Sequence, residues 1–395
     1  EFPGKNILLI RIDGHASLVS KSLLRAAGID KNTRIKGGEV IVDQNGEPTG
    51  MLIDNADLPA KALVPSLSRE EKIKALFMAQ QNCFEVGLSS VTDAGLSAET
   101  IDLIDELHTT GSLKLKLNVM LNPDTVSMDK YMDAGPLVKE RLTVRSVKLY
   151  ADGALGSRGA KLIEPYSDEP GQTGMILHER AYYEEICARA FNSGFAVNMH
   201  AIGDSANRFV LNLYASFLQD TNDLRWRIEH AQLVHPDDFQ LFGRYSIIPS
   251  IQSTHATSDM YWAGARLGKE RLKNAYAQQE LLNQNGWLVN GTDFPIENIS
   301  PLYTFYAAVS RKDLSGYPEN GFQPENALSR EDALRSITLW PAKGAFEESF
   351  KGSIDVGKQA DFVVLEKDIM TANESELPDI KVRMLFIQGE KVFGD

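Results

Sequence analysis

The chain lacks several features that would place it in particular classes of protein. It has only two cysteines, Cys83 and Cys187, in 395 residues. Both lie in apolar helical patterns, so we expect buried free thiols rather than a disulfide framework. No apolar run approaches the roughly 18 to 20 residues of a membrane span, and no signal-peptide pattern opens the chain. We therefore expect a soluble protein, with the compartment open and the cytoplasm favoured.

The chain also lacks an excess of basic residues. Its formal net charge is -13 at pH 7, whereas a nucleic-acid binder needs a basic face to displace counterions from phosphates. We therefore expect no nucleic acid as partner. The absence of a membrane span argues against a membrane partner, and a small-molecule substrate is expected. An acidic surface keeps chains in solution without determining how many associate, and we expect at least a dimer.

Short β-branched runs alternate with longer segments of helical spacing. The length and the 43% hydrophobic content predict one large domain with an appendage. In the helical segments, residues 68–87 and 97–111 each begin with a serine cap and end at a glycine. The seven strand candidates are residues 88–95, 113–121, 144–153, 195–204, 225–232, 245–252 and 286–295. Such alternation predicts parallel strands joined by right-handed crossovers, hence an α/β fold.

Two α/β architectures compete for this pattern. A doubly wound sheet usually carries a Gly-rich phosphate loop after an early strand, and no strand candidate is followed by G-x-G-x-x-G or a Walker sequence. A (β/α)8 TIM-type barrel instead places polar functional residues at the C-terminal ends of many strands. That is the pattern present, so the sequence favours the barrel.

The two ends of the chain differ from its middle. Residues 1–66 contain the hairpin-like "GEVIVDQNGEPTGMLID" and predict an inserted lobe, while residues 67–350 carry the barrel pattern. Residues 351–395 alternate with period two around "DVGKQ" and "QGEK" turns. This pattern predicts the C-terminal part of a small β-sandwich.

Four residues that can serve a metal ion lie at or just after predicted strand ends: Lys148, His200, His230 and Asp293. A barrel would bring them together at its C-terminal mouth. Imidazole and carboxylate are expected ligands of Zn²⁺ and similar cations. An ammonium cannot ligate, so Lys148 fits only as the neutral amine or as a carbamate formed with CO₂. The structural alternative is that the histidines are hydrogen-bonding residues and that Asp293 makes a turn.

The order of these motifs resembles a known family. "VKLYADGALGSRGA", "NMHAIGD", "IEHAQ" and "NGTDFP" look like the metal-dependent amidohydrolase superfamily, in the branch that includes N-substituted formamide deformylases. The resemblance covers nearly the whole chain. It extends to "RIDGHASLVSKSLLRAAGI" in the lobe, "SVTDAG" as the second strand, "SIQSTHATSD" as the seventh, and the closing "EDALRSITLWPAKGAFEE" with "GSIDVGKQADFVVLEKD".

One feature of the family is missing. Its first barrel strand ends in His-x-His, which provides two metal ligands, and none of the seven histidines of this chain forms that motif. The chain also begins "EFPGKN", without methionine. We therefore expect a barrel that lacks its first strand, with strands two to eight in residues 67–350.

The resemblance implies a mechanism and a cofactor. One or two divalent ions, with zinc expected, would lower the pKa of bound water and polarise the scissile carbonyl. Asp293 would act as general base and return the proton to the leaving nitrogen. His200 and His230 would hold the second ion, with carboxylated Lys148 as the bridge. The expected reaction is hydrolysis of an amide or other C–N bond.

Further residues are candidates for substrate contacts. His255 and Gln252 follow the seventh strand, Arg11, Asp13 and His15 lie in "RIDGH" of the lobe, and Arg158 follows "ADGALGS". The alternative for His255 is a solvated surface residue. We expect structural roles for the remaining histidines, which are His108, His178 and His235.

Two other functions compatible with this sequence stay open. A catalytically silent barrel that serves as a binding or regulatory scaffold would explain the missing His-x-His, but not the joint presence of Lys148, His200, His230 and Asp293. A phosphotriesterase-like or isomerase activity at the same metal site is equally compatible with the ligand set. Upstream coding sequence with a His-x-His strand would favour the enzyme.

Overall fold

The computed structural model describes residues 4–394, and its first part is a four-stranded antiparallel sheet in the order β1-β2-β4-β3. The β3–β4 pair confirms the predicted hairpin, and Gly46 at its tip has φ +80°, which glycine adopts without steric cost. The strands are β1 Leu8–Ile10, β2 Ala16–Val19, β3 Gly38–Val42 and β4 Pro48–Asp54.

The central sheet contains all seven predicted strands. They are parallel and adjacent in the order β12-β11-β10-β9-β8-β6-β5, with the short β7 antiparallel to β8. The strands are β5 Ser90–Leu96, β6 Lys116–Leu121, β7 Leu137–Val138, β8 Leu142–Tyr150, β9 Ala196–Ala201, β10 Arg227–His230, β11 Ile248–Ile251 and β12 Val289–Asn290. Within residues 4–394, no strand joins the outer edges of β5 and β12.

Helices connect the parallel strands, as the alternation predicts. Helix α3 begins after Ser68, whose side chain and Glu71 form a reciprocal capping box. In the part of the chain that the structure describes, no helix is both long and apolar enough to cross a membrane. The helices are α1 Lys21–Ala26, α2 Leu58–Lys61, α3 Arg69–Glu85, α4 Ala98–Thr109, α5 Thr125–Tyr131, α6 Arg180–Ser193, α7 Asp204–Leu218, α8 Phe239–Arg244, α9 Ser253–Asp259, α10 Ala263–Leu272, α11 Gln278–Asn285, α12 Pro301–Ser310, α13 Arg330–Ile337 and α14 Leu339–Gly344, with 3₁₀ turns at Asn55–Asp57, Pro236–Asp238, Pro324–Asn326 and Glu374–Asp379.

The two faces of the central sheet differ in polarity. Successive side chains of a strand point to opposite faces, and in β9 Val197 and Met199 belong to the main hydrophobic core while Asn198 and His200 alternate with them. The core also contains the two cysteines, which are buried free thiols as predicted. The face opposite the core is therefore polar, and it carries the candidate site.

The last part of the chain forms a three-stranded antiparallel sheet in the order β13-β14-β15. A two-residue turn, Gln388 and Gly389, joins β14 to β15, and both residues have positive φ, as hairpin turns of this length require. A buried ion pair between Lys116 of β6 and Asp361 ties this sheet to the central one. The strands are β13 Phe362–Leu365, β14 Val382–Ile387 and β15 Glu390–Phe393.

Candidate active site

Strand register places Lys148 and His200 on one face of the central sheet. Tyr150 of β8 pairs with His200 of β9, and Lys148 lies two residues before Tyr150, so all three side chains share a face. Val147 and Leu149, which alternate with them, are in the hydrophobic core. The two predicted metal-binding residues are therefore neighbours because of the strand pairing alone.

His200 lies between the imidazole rings of His15 and His230. Its ring centroid lies 4.6 Å from that of His230 and 4.9 Å from that of His15. Its side chain is 2% exposed, and this burial, with the nearby His230, holds the pKa of His200 well below its ordinary value. A neutral imidazole is the form that can ligate a metal.

Asp152 organises the loops beside His200. Its two carboxylate oxygens accept hydrogen bonds from the backbone N–H groups of Lys161, Ile202 and Gly203, at 2.8, 3.0 and 2.9 Å. Its Oδ1 also lies 3.5 Å from Nε2 of His200. Complete burial raises the pKa of Asp152 to about 7 even though the three donors act in the opposite direction. Asp152 thus joins the loops that follow β8 and β9.

His230 ends β10 and turns into the site. Its φ of +76° and the +42° of Ala231 lie in the left-handed region and redirect the chain where the strand ends. The Nδ1 atom of His230 is 2.7 Å from Oε1 of Gln252, and the Gln252 Nε2 donates to Ser250 O at 3.3 Å. Because that second bond orients the amide, Oε1 faces the ring and Nδ1 is its donor. The Nε2 atom of His230 is left for a ligand.

Asp293 and His255 complete a cluster with His230. One potential ligand atom from each of these three residues lies within 4.8 Å of the others. Nε2 of His255 is 3.6 Å from Oδ2 of Asp293, and the side chains are 12% and 30% exposed. Two imidazoles and a carboxylate are a donor set that divalent transition metals accept. The residues present therefore fit a metal ion.

Lys148 is buried close to this cluster. It is 4% exposed, and Nζ lies 4.6 Å from the centroid of the Tyr150 ring. Among residues 4–394, no carboxylate lies within ion-pair distance of Nζ. Burial lowers the pKa of Lys148, although Glu229 and Asp293 act in the opposite direction. The neutral amine is the form that reacts with CO₂, so the site favours the state that carboxylation requires.

The lobe contributes a second pair of residues. His15 Nδ1 is 2.7 Å from Oδ1 of Asp54, the last residue of β4. A Cβ at Gly153 or Gly159 would stand 2.3 or 2.4 Å from Oδ2 of Asp54, so these glycines provide the space for the carboxylate. His15 was predicted from the sequence, whereas Asp54 was not. Asp54 carries a signal like that of Asp293, an aspartate at the end of a strand-like run.

The remaining predicted contacts divide into two groups. Arg11 Nη2 pairs with Asp13 Oδ2 at 2.9 Å, and the guanidinium of Arg11 lies against Gly156 of the loop after β8. Arg158 instead makes two hydrogen bonds to Asp168, at 3.2 and 2.9 Å. The guanidinium of Arg158 therefore already has a carboxylate partner ten residues along the same loop.

Three histidines lie outside the cluster and have structural contacts. His108 lies in the last turn of α4, with Nε2 2.9 Å from the carbonyl oxygen of Leu115. His235 caps a 3₁₀ turn through the backbone N–H of Asp237, and His178 stacks on Tyr182 with a centroid distance of 4.1 Å. These contacts agree with the structural roles expected from the sequence.

Acid is expected to destabilise the metal-free protein through His230. Burial lowers its pKa from 6.5 to about 4. Between these pH values the unfolded chain binds a proton at His230 that the folded chain does not bind. The free energy of unfolding that depends on His230 is therefore fully present above pH 6.5 and is lost as the pH falls toward 4. The shift corresponds to up to about 3 kcal/mol.

The measurement is urea unfolding of the chelated protein and its His230→Gln variant at about pH 7.5 and pH 5. We expect the free energy of unfolding to fall more with acid in the unsubstituted protein. Asp152 acts in the opposite direction, because its raised pKa makes the folded protein more stable as the pH falls. Asp152 is present in both proteins, so the difference between their acid dependences reports His230. His235→Gln serves as control, and an identical acid dependence in all three proteins would contradict the prediction.

Comparison with known proteins identifies relatives along the whole chain. The profile of the amidohydrolase family matches residues 2–393. The chain is 33% identical over 379 residues to Protein LONG AFTER FAR-RED 3 of Arabidopsis thaliana. That alignment covers 92% of this chain and 65% of the relative. The chain is 32% identical over 403 residues to the putative amidohydrolase YtcJ of Bacillus subtilis (strain 168), covering 99% and 75%.

The chain is also similar to a further relative and to a solved structure. The chain is 24% identical over 407 residues to the N-substituted formamide deformylase of Arthrobacter pascens, covering 98% of this chain and 73% of that one. An uncharacterized metal-dependent hydrolase from Pyrococcus horikoshii OT3 superposes with a TM-score of 0.77 at 27% identity, covering 94% and 73%. The chain thus spans about two thirds to three quarters of the length of each of these four proteins.

Proposed function

Because the chain belongs to the amidohydrolase family of enzymes, as its motifs predicted, we propose that it hydrolyses an amide or other C–N bond of a small molecule with a bound divalent metal ion. The family implies the metal. The observation that carries the proposal is the convergence of His200, His230, His255 and Asp293 at the carboxyl ends of adjacent parallel strands. Barrel hydrolases place their catalytic residues at this end.

We further propose that the central sheet is part of a (β/α)8 barrel. Seven parallel strands in sequential order and the likeness to the Pyrococcus horikoshii hydrolase support it. The strand that would close the barrel between β12 and β5 is not among residues 4–394. The divisions of the chain at residues 66 and 350, and a β-sandwich built on β13 to β15, stay part of this proposal.

The metal would be held by Lys148, His200, His230 and Asp293, with Lys148 as a carbamate and zinc as the expected ion. When bound, such an ion supplies Lewis acidity that lowers the pKa of water and polarises a carbonyl. The support for the carbamate is the buried Nζ of Lys148, whose pKa burial lowers. Imidazole and carboxylate donors favour zinc among the common ions.

Asp293 is the proposed general base. Its side chain is 30% exposed and lies at the end of β12, so a substrate could reach it from the mouth. As the water oxygen bonds to the carbonyl carbon, the carboxylate takes the water's proton. It then delivers a proton to the leaving nitrogen as the C–N bond breaks, which yields an acid and an amine.

Residues around the mouth would bind the substrate. The lobe places His15, held by Asp54, against His200, and Arg11 with Asp13 lies over the loop after β8. Gln252 orients His230, so its substrate role would be indirect. Arg158 is paired with Asp168, so a substrate contact through Arg158 would have to compete with that ion pair. N-substituted amides are the proposed substrate class, on the likeness to the formamide deformylase.

The test is a screen of N-substituted formamides, acetamides and cyclic amides for release of amine by the protein supplied with Zn²⁺ and bicarbonate. We expect turnover that a chelator abolishes and that Asp293→Asn lowers by about a hundredfold or more. Asp220→Asn, at an exposed position, serves as control and should retain activity. Metal binding with no turnover on any class would contradict the proposal and favour the alternative of a binding or regulatory scaffold.

A further inference from the structure

We propose that His255 is itself a metal ligand, and that His230, His255 and Asp293 hold one ion without help from Lys148 or His200. This inference rests on the proposed function, because it concerns the ion at that site. The sequence predicted a substrate contact for His255, with a solvated surface residue as the alternative. In the structure, one potential ligand atom from each of the three residues lies within 4.8 Å of the others.

The strongest observation is a buried ring nitrogen that lacks a hydrogen-bond partner among the described residues. Nε2 of His255 is buried and has no hydrogen-bond partner among the described residues. Asp293 Oδ2 lies 3.6 Å away, beyond hydrogen-bond distance. A buried polar nitrogen without a partner is costly. A cation placed between the imidazole and the carboxylate would satisfy both groups at once.

The second observation is that His230 is arranged as metal-binding histidines usually are. Such residues hold one ring nitrogen in a hydrogen bond and ligate through the other. Here Nδ1 of His230 is bound to Oε1 of Gln252 at 2.7 Å, and the amide of Gln252 is fixed by its own bond to Ser250 O. The predicted substrate residue Gln252 therefore acts as the orienting residue of a ligand.

The positions in the sheet support a single compact centre. His230 ends β10, His255 lies in the first turn of α9 after β11, and Asp293 follows β12. The three proposed ligands thus lie at or after the carboxyl ends of three adjacent strands. The rings of His230 and His255 are stacked at 20°, with centroids 5.7 Å apart. Ligands of one zinc ion stand at most about 4 Å apart, so side chains need to move by only about an ångström.

The three proposed ligands do not include a His-x-His pair. Two imidazoles and a carboxylate leave coordination positions open for water or substrate, as in catalytic metal sites. None of the three ligands comes from a first strand. Binding of one ion is therefore expected to need neither the His-x-His pair nor a carboxylated lysine.

The test uses Co²⁺ alone as probe, added to the metal-free full chain. The dissociation constant is measured by competition with a chelator, and coordination by the visible absorption of bound Co²⁺. We expect His255→Ala to weaken binding at least about tenfold and to change the visible bands. His178→Ala, which removes an imidazole outside the cluster, should leave both unchanged, and His200→Ala should weaken binding less than His255→Ala.

A second variant keeps the test valid should His255→Ala fold poorly. His255→Cys supplies a thiolate, and if residue 255 is a ligand, bound Co²⁺ should show a sulfur-to-cobalt charge-transfer band, a signature that a structural role would not produce. Binding within twofold of the unsubstituted chain for His255→Ala, with no such band for His255→Cys, would overturn this inference alone. An unsubstituted chain that binds no Co²⁺ would overturn both it and the proposed function.

Discussion

Replacing His200 and His230 together with alanine is expected to reduce bound metal to less than about a tenth of an ion per chain, while the unsubstituted protein retains one or two ions. His230 belongs to both proposed ligand sets, and His200 lies 4.6 Å from it, measured between ring centroids. Because divalent metal binding requires several donors on one ion, the residues left behind do not form a tight site. Elemental analysis after dialysis against zinc-buffered solution measures the effect.

The control for this prediction removes two imidazoles that lie elsewhere. His108 and His235 are held by backbone groups, and their double substitution by alanine should leave the metal content unchanged. Circular dichroism of all three proteins reports whether the fold persists. Metal retained in the His200→Ala/His230→Ala protein would place the ion at other residues and contradict the ligand assignment.

The largest expected loss of stability comes from Asp152→Ala. The substitution leaves the backbone N–H groups of Lys161, Ile202 and Gly203 without their acceptor. Unsatisfied buried donors cost about 1 to 3 kcal/mol each, so the free energy of unfolding should fall by at least about 3 kcal/mol. Urea unfolding of the metal-free protein measures this loss. Because Asp152 also stands beside His200, Co²⁺ affinity is expected to fall as well.

An exposed aspartate with similar bonds provides the matched control. Asp43 Oδ1 accepts from the backbone N–H groups of Asn45 and Glu47, at 2.8 and 3.0 Å, in the turn between β3 and β4. Water can replace this carboxylate, so Asp43→Ala should cost a small part of what Asp152→Ala costs. Equal decreases in the free energy of unfolding for the two variants would contradict the prediction, because burial of the N–H donors would then not determine the cost of losing their acceptor.

Much of the fold could be predicted because its signals are local. Each of the seven parallel strands lies on a predicted apolar run, and Ser68 and Ser97 cap helices α3 and α4 as expected. Alternation of side chains along a strand depends only on the neighbouring residues. The same alternation explains why His200 lies on the face opposite Val197 and Met199 of the core.

The site was less predictable, since its contacts join distant segments. Asp54 and His15 meet beside Gly153 through an N-terminal segment whose position relative to the central strands has no signal in the sequence. Arg158 was expected to contact substrate, and its ion pair with Asp168 is a contact that the sequence did not indicate. His255 was assigned to substrate, whereas its distance to Asp293 makes it a candidate ligand.

The sequence by itself determined the α/β class, the strand ends that carry His200, His230 and Asp293, and the resemblance to amidohydrolases, because each depends on the order and spacing of residues along one segment. Only the tertiary structure decided which of these side chains meet. A ligand site requires atoms within a few ångströms, and that distance is set by strand register and loop packing across segments far apart in the chain, as for His230, His255 and Asp293.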